Sequence, residues 1–268
     1  MSASRPLPLL RHSLRESWRS LIAWAVGLVA ALSLYLPLFS SIGGNASMQD
    51  LIKSLPHELT AAIGYDNIST GSGYTQSTFF GLLGFVLVVI AGTGWGTAAL
   101  ASDEERGTLE LTLAHGVTRT QVILERAASI ALRFLALGAI VWGVIAALNG
   151  PSNLDLNLGN VGIAVLGLCG LGMLAAAASL TVGSIVGRRS IALMGGAGIS
   201  VIAYVLNAVA SQSDTLSALK DYSPYAWAYR SEPLVNGWDG SQLWLLYSLI
   251  ALLLVIALAA FNRRDVGA

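Results

Sequence analysis

The chain has 268 residues, of which 54% are hydrophobic and only 11% are charged, and its formal net charge is zero. Soluble domains carry about 25% charged residues, so this composition excludes an ordinary soluble domain. Nucleic-acid binding requires a basic surface, and the zero net charge gives no support for a nucleic-acid partner. The composition therefore indicates an integral membrane protein.

Six stretches of the chain contain no Asp, Glu, Lys or Arg, and each is between 21 and 36 residues long. A helix rises ~1.5 Å per residue, so about 20 apolar residues cross the ~30 Å core of a bilayer. We therefore expect an all-α, polytopic fold that forms a single transmembrane domain over residues 1–268. The six transmembrane helices are predicted at 20–41, 76–101, 126–148, 159–185, 190–210 and 241–261.

The distribution of basic residues predicts the orientation. Twelve of the fifteen lie in the N-terminal tail, the 103–133 connection and the pairs Arg188–Arg189 and Arg263–Arg264. Because short cytoplasmic loops are enriched in Lys and Arg, we expect both termini to be cytoplasmic.

Residues 1–19 are predicted to form an amphipathic helix on the cytoplasmic membrane surface. The alternative is a disordered basic tail. The two faces of the predicted helix are an apolar set of Leu7, Leu10, Leu14 and Trp18, and a basic set of Arg11, Arg15 and Arg19.

The segment from 42 to 75 is too long for a simple turn on the outer side. It contains a predicted short amphipathic helix at Met48–Leu55, just before Pro56. We expect this segment to lie at the outer membrane interface, either as an anchor or as a gate.

The connection at 102–125 is the only dense cluster of charged residues in the chain. Ser102 and Glu105 have capping-box spacing at the start of a predicted helix. Arg106 and Glu110 are four residues apart and are predicted to pair, and Leu109 and Leu113 form a short apolar stripe.

His115 and Gly116 are predicted to end that helix, with the glycine providing a left-handed cap. Thr118 and Gln121 form a second capping box at the start of the third span. These signals favour a helix–turn–helix over residues 102–125, which we call the elbow. The alternative is a solvated charged loop that only obeys the charge rule.

Small residues are frequent in two of the spans. Gly92 and Gly96, and also Gly183 and Gly187, have the four-residue spacing that lets helices approach closely. We interpret them as packing positions, within the subunit or across a dimer; lining of a transport path is the alternative.

The outer segment at 211–240 is rich in aromatic residues, which favour the membrane–water boundary. We expect it to lie at or dip into the outer interface. Its aromatic residues include Tyr222, Tyr225, Trp227, Tyr229 and Trp238.

The run from Asp103 to Arg126, DEERGTLELTLAHGVTRTQVILER, resembles the signature of ABC type-2 permeases, the membrane subunits of a class of bacterial exporters. The resemblance extends to the six-span layout, the basic lead-in helix, Ser54–Leu59 and Ser223–Tyr225. The chain departs from the family at His115-Gly116, where many relatives have a small residue and a proline.

The resemblance implies that the elbow couples this chain to a separate cytoplasmic ABC ATPase subunit. That subunit would bind ATP and magnesium, and this chain would need no cofactor of its own. A second permease chain, as a homodimer or a paralogous heterodimer, the surrounding membrane lipid and a location in the bacterial plasma membrane are also implied. The coupling role is carried over to Asp103, Glu104, Glu105, Arg106, Gly107, Thr108, Leu109, Glu110 and Arg119.

Several kinds of chemistry have no support in the sequence. A P-loop needs Gly-Lys-Ser/Thr, and neither Lys53 nor Lys220 follows a glycine, so we predict that this chain is not itself an enzyme. The three histidines lie outside the predicted spans without metal-ligand spacing, so neither a metal site nor a catalytic site is expected.

Arg133 is the ionisable residue predicted deepest within a span. Snorkelling to the cytoplasmic surface is the favoured interpretation, and a role in a substrate cavity is the alternative.

The predicted function is export of an amphipathic substrate, such as an antibiotic, drug or lipid-like molecule, because the spans carry so little charge. A secondary transporter driven by an ion gradient is the main alternative. A non-transporting membrane scaffold or resistance-associated subunit is the third possibility.

Overall fold

The computed structural model describes residues 8–42, 70–114, 116–212, 214–238 and 240–264. These residues form helices joined by turns, and the described part contains no strand. Six of the helices are long and apolar enough to cross a membrane. The predicted all-α, six-span fold is therefore confirmed.

The chain begins with α1, Pro8–Glu16, and continues into α2, Trp18–Tyr35, which a 3₁₀ turn extends to Leu38. A short helix, Phe39–Ile42, follows. The second span, α3, runs over Gly71–Ala98 and includes a π-helical stretch at Gln76–Leu83.

The elbow contains two short helices, α4 and α5. Three long helices, a 3₁₀ helix at Asp214–Tyr222 and two short helices, of which Pro233–Asn236 is left unnumbered, follow before the last span. Their bounds are α4 Ala101–Glu105, α5 Thr108–Ala114, α6 Arg119–Asn149, α7 Leu158–Val186, α8 Arg189–Ala210, α9 Pro224–Tyr229 and α10 Gly240–Arg263.

The largest difference from the predicted bounds is at α6, which begins at Arg119 rather than at residue 126. The helix starts there because Thr118 caps it, so the last two turns of the elbow belong to the third span. We call the end of the bundle that carries the elbow the elbow end, and the other end the opposite end.

The fourth span, α7, is the central helix and packs against α3, α6, α8 and α10. Its small residues let the neighbouring backbones approach closely. A methyl group added at Gly92 would overlap the carbonyl oxygen of Gly172, and one added at Gly96 would overlap that of Ala176. The α3–α7 contact is therefore a backbone contact.

The N-terminal helix ends earlier than predicted and makes polar contacts with the bundle. It ends at Glu16, so Trp18 belongs to α2, where its side chain is 52% exposed. In α1, Ser13 is buried and its hydroxyl lies 2.9 Å from that of Ser129 on α6. The backbone nitrogen of Leu10 donates to the carboxylate of Glu125 at 2.8 Å. Polar contacts therefore fix α1 to the start of α6.

The aromatic segment at the opposite end divides into exposed and buried residues. Tyr222 and Trp238 are exposed, whereas Tyr225 and Tyr229 of α9 are buried and pack edge-on with Phe85 and Phe80 respectively. Burial raises the pKa of the Tyr225 phenol, which donates to the carbonyl oxygen of Gly81 at 2.7 Å. Part of the predicted interfacial segment is thus inside the bundle.

The predicted helix at Met48–Leu55 and the Ser54–Leu59 segment lie outside the described residues.

The α3–α7 contact predicts a position-specific response to substitution. Gly92→Leu should lower the thermal unfolding temperature of the purified protein by several degrees, because overpacking a tight contact costs about 1–3 kcal/mol. Gly94→Leu is the matched control on the same helix, since a Cβ atom added there meets nothing within 4 Å. Equal unfolding temperatures for the two variants would contradict the packing.

Candidate functional site

The backbone of the elbow is broken at glycines. The helix α4 starts at Ala101, one residue before the predicted Ser102 cap, and Leu100 rather than Ser102 precedes it without a side-chain cap. Gly107, with φ of +69°, separates α4 from α5. The prediction of one helix capped by Ser102 and Glu105 is therefore wrong, because left-handed backbone at Gly107 ends the first helix.

The second half of the elbow agrees with the sequence. Gly116 has a φ of +80° and lies between α5 and α6. The hydroxyl of Thr118 accepts a hydrogen bond from the backbone nitrogen of Gln121 at 3.1 Å. This is the N-cap bond predicted for the third span, while the Gln121 side chain donates to Glu125 instead of closing the box.

Asp103 joins the elbow to the third span. Its two carboxylate oxygens accept from Arg106 at 2.8 Å and from Arg126 on α6 at 2.7 Å. The predicted Arg106–Glu110 pair is therefore replaced by an Arg106–Asp103 pair, since the break at Gly107 removes the helical register between Arg106 and Glu110.

Glu104 joins the elbow to the last span and, through it, to the end of α7. Its carboxylate forms an ion pair with Arg264, just after α10. The same guanidinium donates to the carbonyl oxygens of Gly183 and Ser184 at 3.1 and 3.2 Å. Arg264 thus adds hydrogen bonds to carbonyls in the last turn of α7, one of which, that of Gly183, also accepts from the backbone nitrogen of Gly187, while it holds Glu104.

Glu105 binds the start of α8. Its carboxylate accepts from the backbone nitrogen of Arg189, the first residue of that helix, at 2.7 Å. A carboxylate at a helix N-terminus satisfies an unpaired N–H group and is favoured by the helix dipole.

Arg119 binds the C-terminal end of α10, as Glu105 binds the N-terminal end of α8. Its guanidinium donates to the carbonyl oxygen of Phe261 at 3.0 Å and to that of Arg264, and it lies 5.6 Å from the centre of the Phe261 ring. A cation at a helix C-terminus is electrostatically favourable. Four of the nine predicted coupling residues, Asp103, Glu104, Glu105 and Arg119, therefore hold helix ends together.

The remaining predicted residues divide by burial. Leu109 is only 1% exposed and packs in the core, so the predicted apolar stripe of Leu109 and Leu113 faces inward. Leu111, which the sequence did not single out, is 63% exposed. We call the exposed residues of this turn the outer face of the elbow: Arg106, Gly107, Thr108, Glu110 and Leu111.

The predicted snorkelling of Arg133 to the cytoplasmic surface stays a prediction; the structure places its guanidinium against Ser129, one turn nearer the elbow end. The Arg133 side chain lies inside the bundle, and the residue is 6% exposed. The guanidinium donates to the hydroxyls of Ser13 and Ser129 at 3.0 and 2.8 Å and lies 5.0 Å from the centre of the Trp95 ring. Neighbours from α1 and α3 make the inward position favourable.

Within the described ranges, no group of three or more His, Cys, Asp or Glu residues lies close enough to hold a metal ion.

Six membrane-length helices and a helical elbow tied to four of them define a polytopic membrane protein. The family model described as ABC-2 family transporter protein matches residues 7–266, and the chain belongs to this family. It is therefore a membrane transport protein, as the 103–126 signature indicates. No curated protein matches the chain significantly.

The Glu104–Arg264 pair predicts non-additive variants. Glu104→Gln and Arg264→Gln should each speed hydrogen exchange of the α4 amides, because each leaves a partly buried charge without its counter-ion. The double variant should lose less protection than the sum of the single losses, by on the order of 1 kcal/mol. Glu110→Gln, on the outer face, is the control and should leave α4 unchanged; strictly additive losses would disprove the coupling.

Proposed function

We propose that this chain is the permease subunit of an ATP-binding cassette exporter, and that a separate cytoplasmic ATPase subunit binds the outer face of the elbow. The ATPase would bind ATP and magnesium, and this chain would supply the membrane path without a cofactor. The proposal includes a bacterial plasma-membrane location, cytoplasmic termini and a second permease chain, identical or paralogous.

The observation that carries the proposal is that some elbow residues bind the spans while others are exposed on the outer face. Asp103 and Glu104 are partly buried and bind α6 and Arg264, and the exposed Glu105 binds the start of α8. The outer face combines a cation, an anion and an exposed leucine in one turn. A force applied to this face would pass through charge-assisted bonds to several spans at once.

The family supports a moving elbow of this kind. In the proposed mechanism, closure of two ATPase subunits displaces the elbow and favours an outward-open arrangement of the spans over an inward-open one. Such a shift requires the ATPase to bind one arrangement more tightly than the other, which the ties to α6, α8 and α10 would permit.

An amphipathic cargo is the substrate class that we propose. The spans are lined by Gly, Ala, Leu and aromatic side chains, with Arg133 as a buried charge. A secondary transporter would be expected to move solute with an ion gradient alone, so transport by the isolated chain distinguishes it from an exporter subunit.

The outer face and the inward carboxylates should respond differently to substitution. Leu111→Glu combined with Glu110→Arg should reduce co-purification of the proposed ATPase subunit by at least about tenfold, the equivalent of ~1.4 kcal/mol, since both side chains would lie in the contact. Glu104→Gln should retain the ATPase but lower transport per ATP hydrolysed.

The matched control is Leu216→Glu, because Leu216 is also exposed but lies at the opposite end. That variant should bind the ATPase as the parent does. Full binding by the outer-face variant, or transport by the purified permease driven only by a proton or sodium gradient, would refute the proposal.

The proposed orientation predicts which exposed positions react in intact cells. A membrane-impermeant maleimide should label Leu216→Cys in intact cells and Leu111→Cys only after permeabilisation, since the two positions lie at opposite ends. The native Cys169 is buried and provides a low background. Labelling of Leu111→Cys in intact cells would show that the elbow faces outwards and would contradict the proposed orientation.

A further inference from the structure

A cavity of about 450 Å³ lies at the elbow end of the bundle, within the roughly 300–1,000 Å³ range of ligand pockets. Residues of α1, α2, α3, α6 and the elbow line it. Its charged lining residues are three arginines, Arg106, Arg126 and Arg133, and two acids, Glu16 and Asp103, so cations are in excess by one. Asp103 pairs with Arg126 on its wall, but no acidic side chain among the described residues pairs with Arg133.

Two arginines of α6 form the cationic wall of this cavity. Arg126 and Arg133 both line it and are seven residues apart, which places them on one face of the helix, about two turns from each other. The cavity therefore has a cationic side that runs along the axis of the bundle.

Arg133 lacks a counter-ion among the described residues. Its hydrogen bonds go to the hydroxyls of Ser13 and Ser129 and to the carbonyl oxygen of Ser129, which are all neutral. A buried charge is costly unless it is paired. An anion in the cavity would supply the missing partner.

Arg126 also has hydrogen-bonding capacity to spare. One of its terminal nitrogens donates to Asp103 at 2.7 Å, but its Nε atom is buried and has no hydrogen-bond partner among the described residues. The Arg126 guanidinium is therefore one hydrogen bond short, and its cation would still attract an anion in the cavity.

The other side of the cavity is apolar and open. Trp24, Ile90 and Gly94 line it; Ile90 is 53% exposed, and a Cβ atom added at Gly94 would meet nothing within 4 Å. Ile90 and Gly94 are one turn apart on the outward face of α3, so an apolar strip leads from the cationic wall to the outside of the bundle.

We infer that this cavity binds an anionic amphiphile, with its phosphate or carboxylate head group on Arg126 and Arg133 and its hydrocarbon tail along Ile90 and Gly94. Serine hydroxyls of α1 and α2, including Ser20, provide further polar partners at the head group. The charged and apolar sides are both needed, so neither a free phosphate ion nor a neutral lipid fits the whole site.

Such a ligand could be an anionic membrane lipid or an amphipathic cargo, since the recognising chemistry is the same. The cavity shares Asp103 and Arg106 with the elbow, but lipid binding to the chain alone requires no ATPase, so either proposal can fail without the other.

The test is competitive binding to the purified full chain, measured by native mass spectrometry. Equimolar phosphatidylglycerol and phosphatidylcholine should give bound lipid with an excess of phosphatidylglycerol. Arg133→Gln should lower that excess by about tenfold, the factor expected for one charge-assisted hydrogen bond, and Arg133→Lys should restore most of it. Gly94→Phe should lower phosphatidylglycerol binding by filling the apolar strip.

Two matched variants serve as controls. Arg263→Gln removes an exposed arginine at the elbow end, and Gly143→Phe places the same ring at another open position of a span; both should bind as the parent does. If Arg133→Gln does not fold, the Arg133→Lys and Gly94→Phe comparisons still decide the question.

The inference is overturned if the parent chain binds the two lipids equally, or if Gly94→Phe binds phosphatidylglycerol as the parent does. It is also overturned if inorganic phosphate binds with the same affinity as phosphatidylglycerol, because the apolar side would then contribute nothing.

Discussion

The backbone contact between α3 and α7 is the constraint on which the rest of this bundle depends. Gly92 and Gly96 let α3 lie directly against the carbonyl groups of α7, and α7 in turn contacts α6, α8 and α10. Since α4 begins soon after α3 ends, this contact also determines where the elbow stands. It places Glu104 within reach of Arg264, which binds the last turn of α7.

Some charged residues of the elbow bind the spans, and others are exposed on its outer face. The acidic run that starts the elbow satisfies an arginine of α6, the N-terminus of α8 and the arginine that follows α10. Exposed ion pairs contribute little to stability, but the Asp103–Arg126 and Glu104–Arg264 pairs are partly buried and join separate helices. The charge rule for membrane orientation would also be met by a solvated loop at 102–125. The structure instead shows that the charged residues of the elbow connect separate spans.

A contact in this structure could be predicted from the sequence only where the two residues that form it are close together along the chain. The spans and the Thr118 cap follow from local patterns, and both were predicted. Glu104 and Arg264 are 160 residues apart, so nothing in the elbow itself indicates their pairing. Arg133 is held inside the bundle by contacts with Ser13 and Trp95. Both belong to other helices, so the hydropathy of α6 contains no information about them.

The elbow and the cavity share one ion pair, and this has a thermodynamic consequence. Arg126 binds Asp103 through a terminal nitrogen, while its Nε atom is unpaired among the described residues at the cavity wall. An anion on Arg126 would therefore change the energy of the Asp103 bond, and anything that moves Asp103 would change the affinity for the anion by the same factor. Because Asp103 also holds Arg106 on the outer face, occupancy of the cavity and contacts on the outer face are linked through one carboxylate.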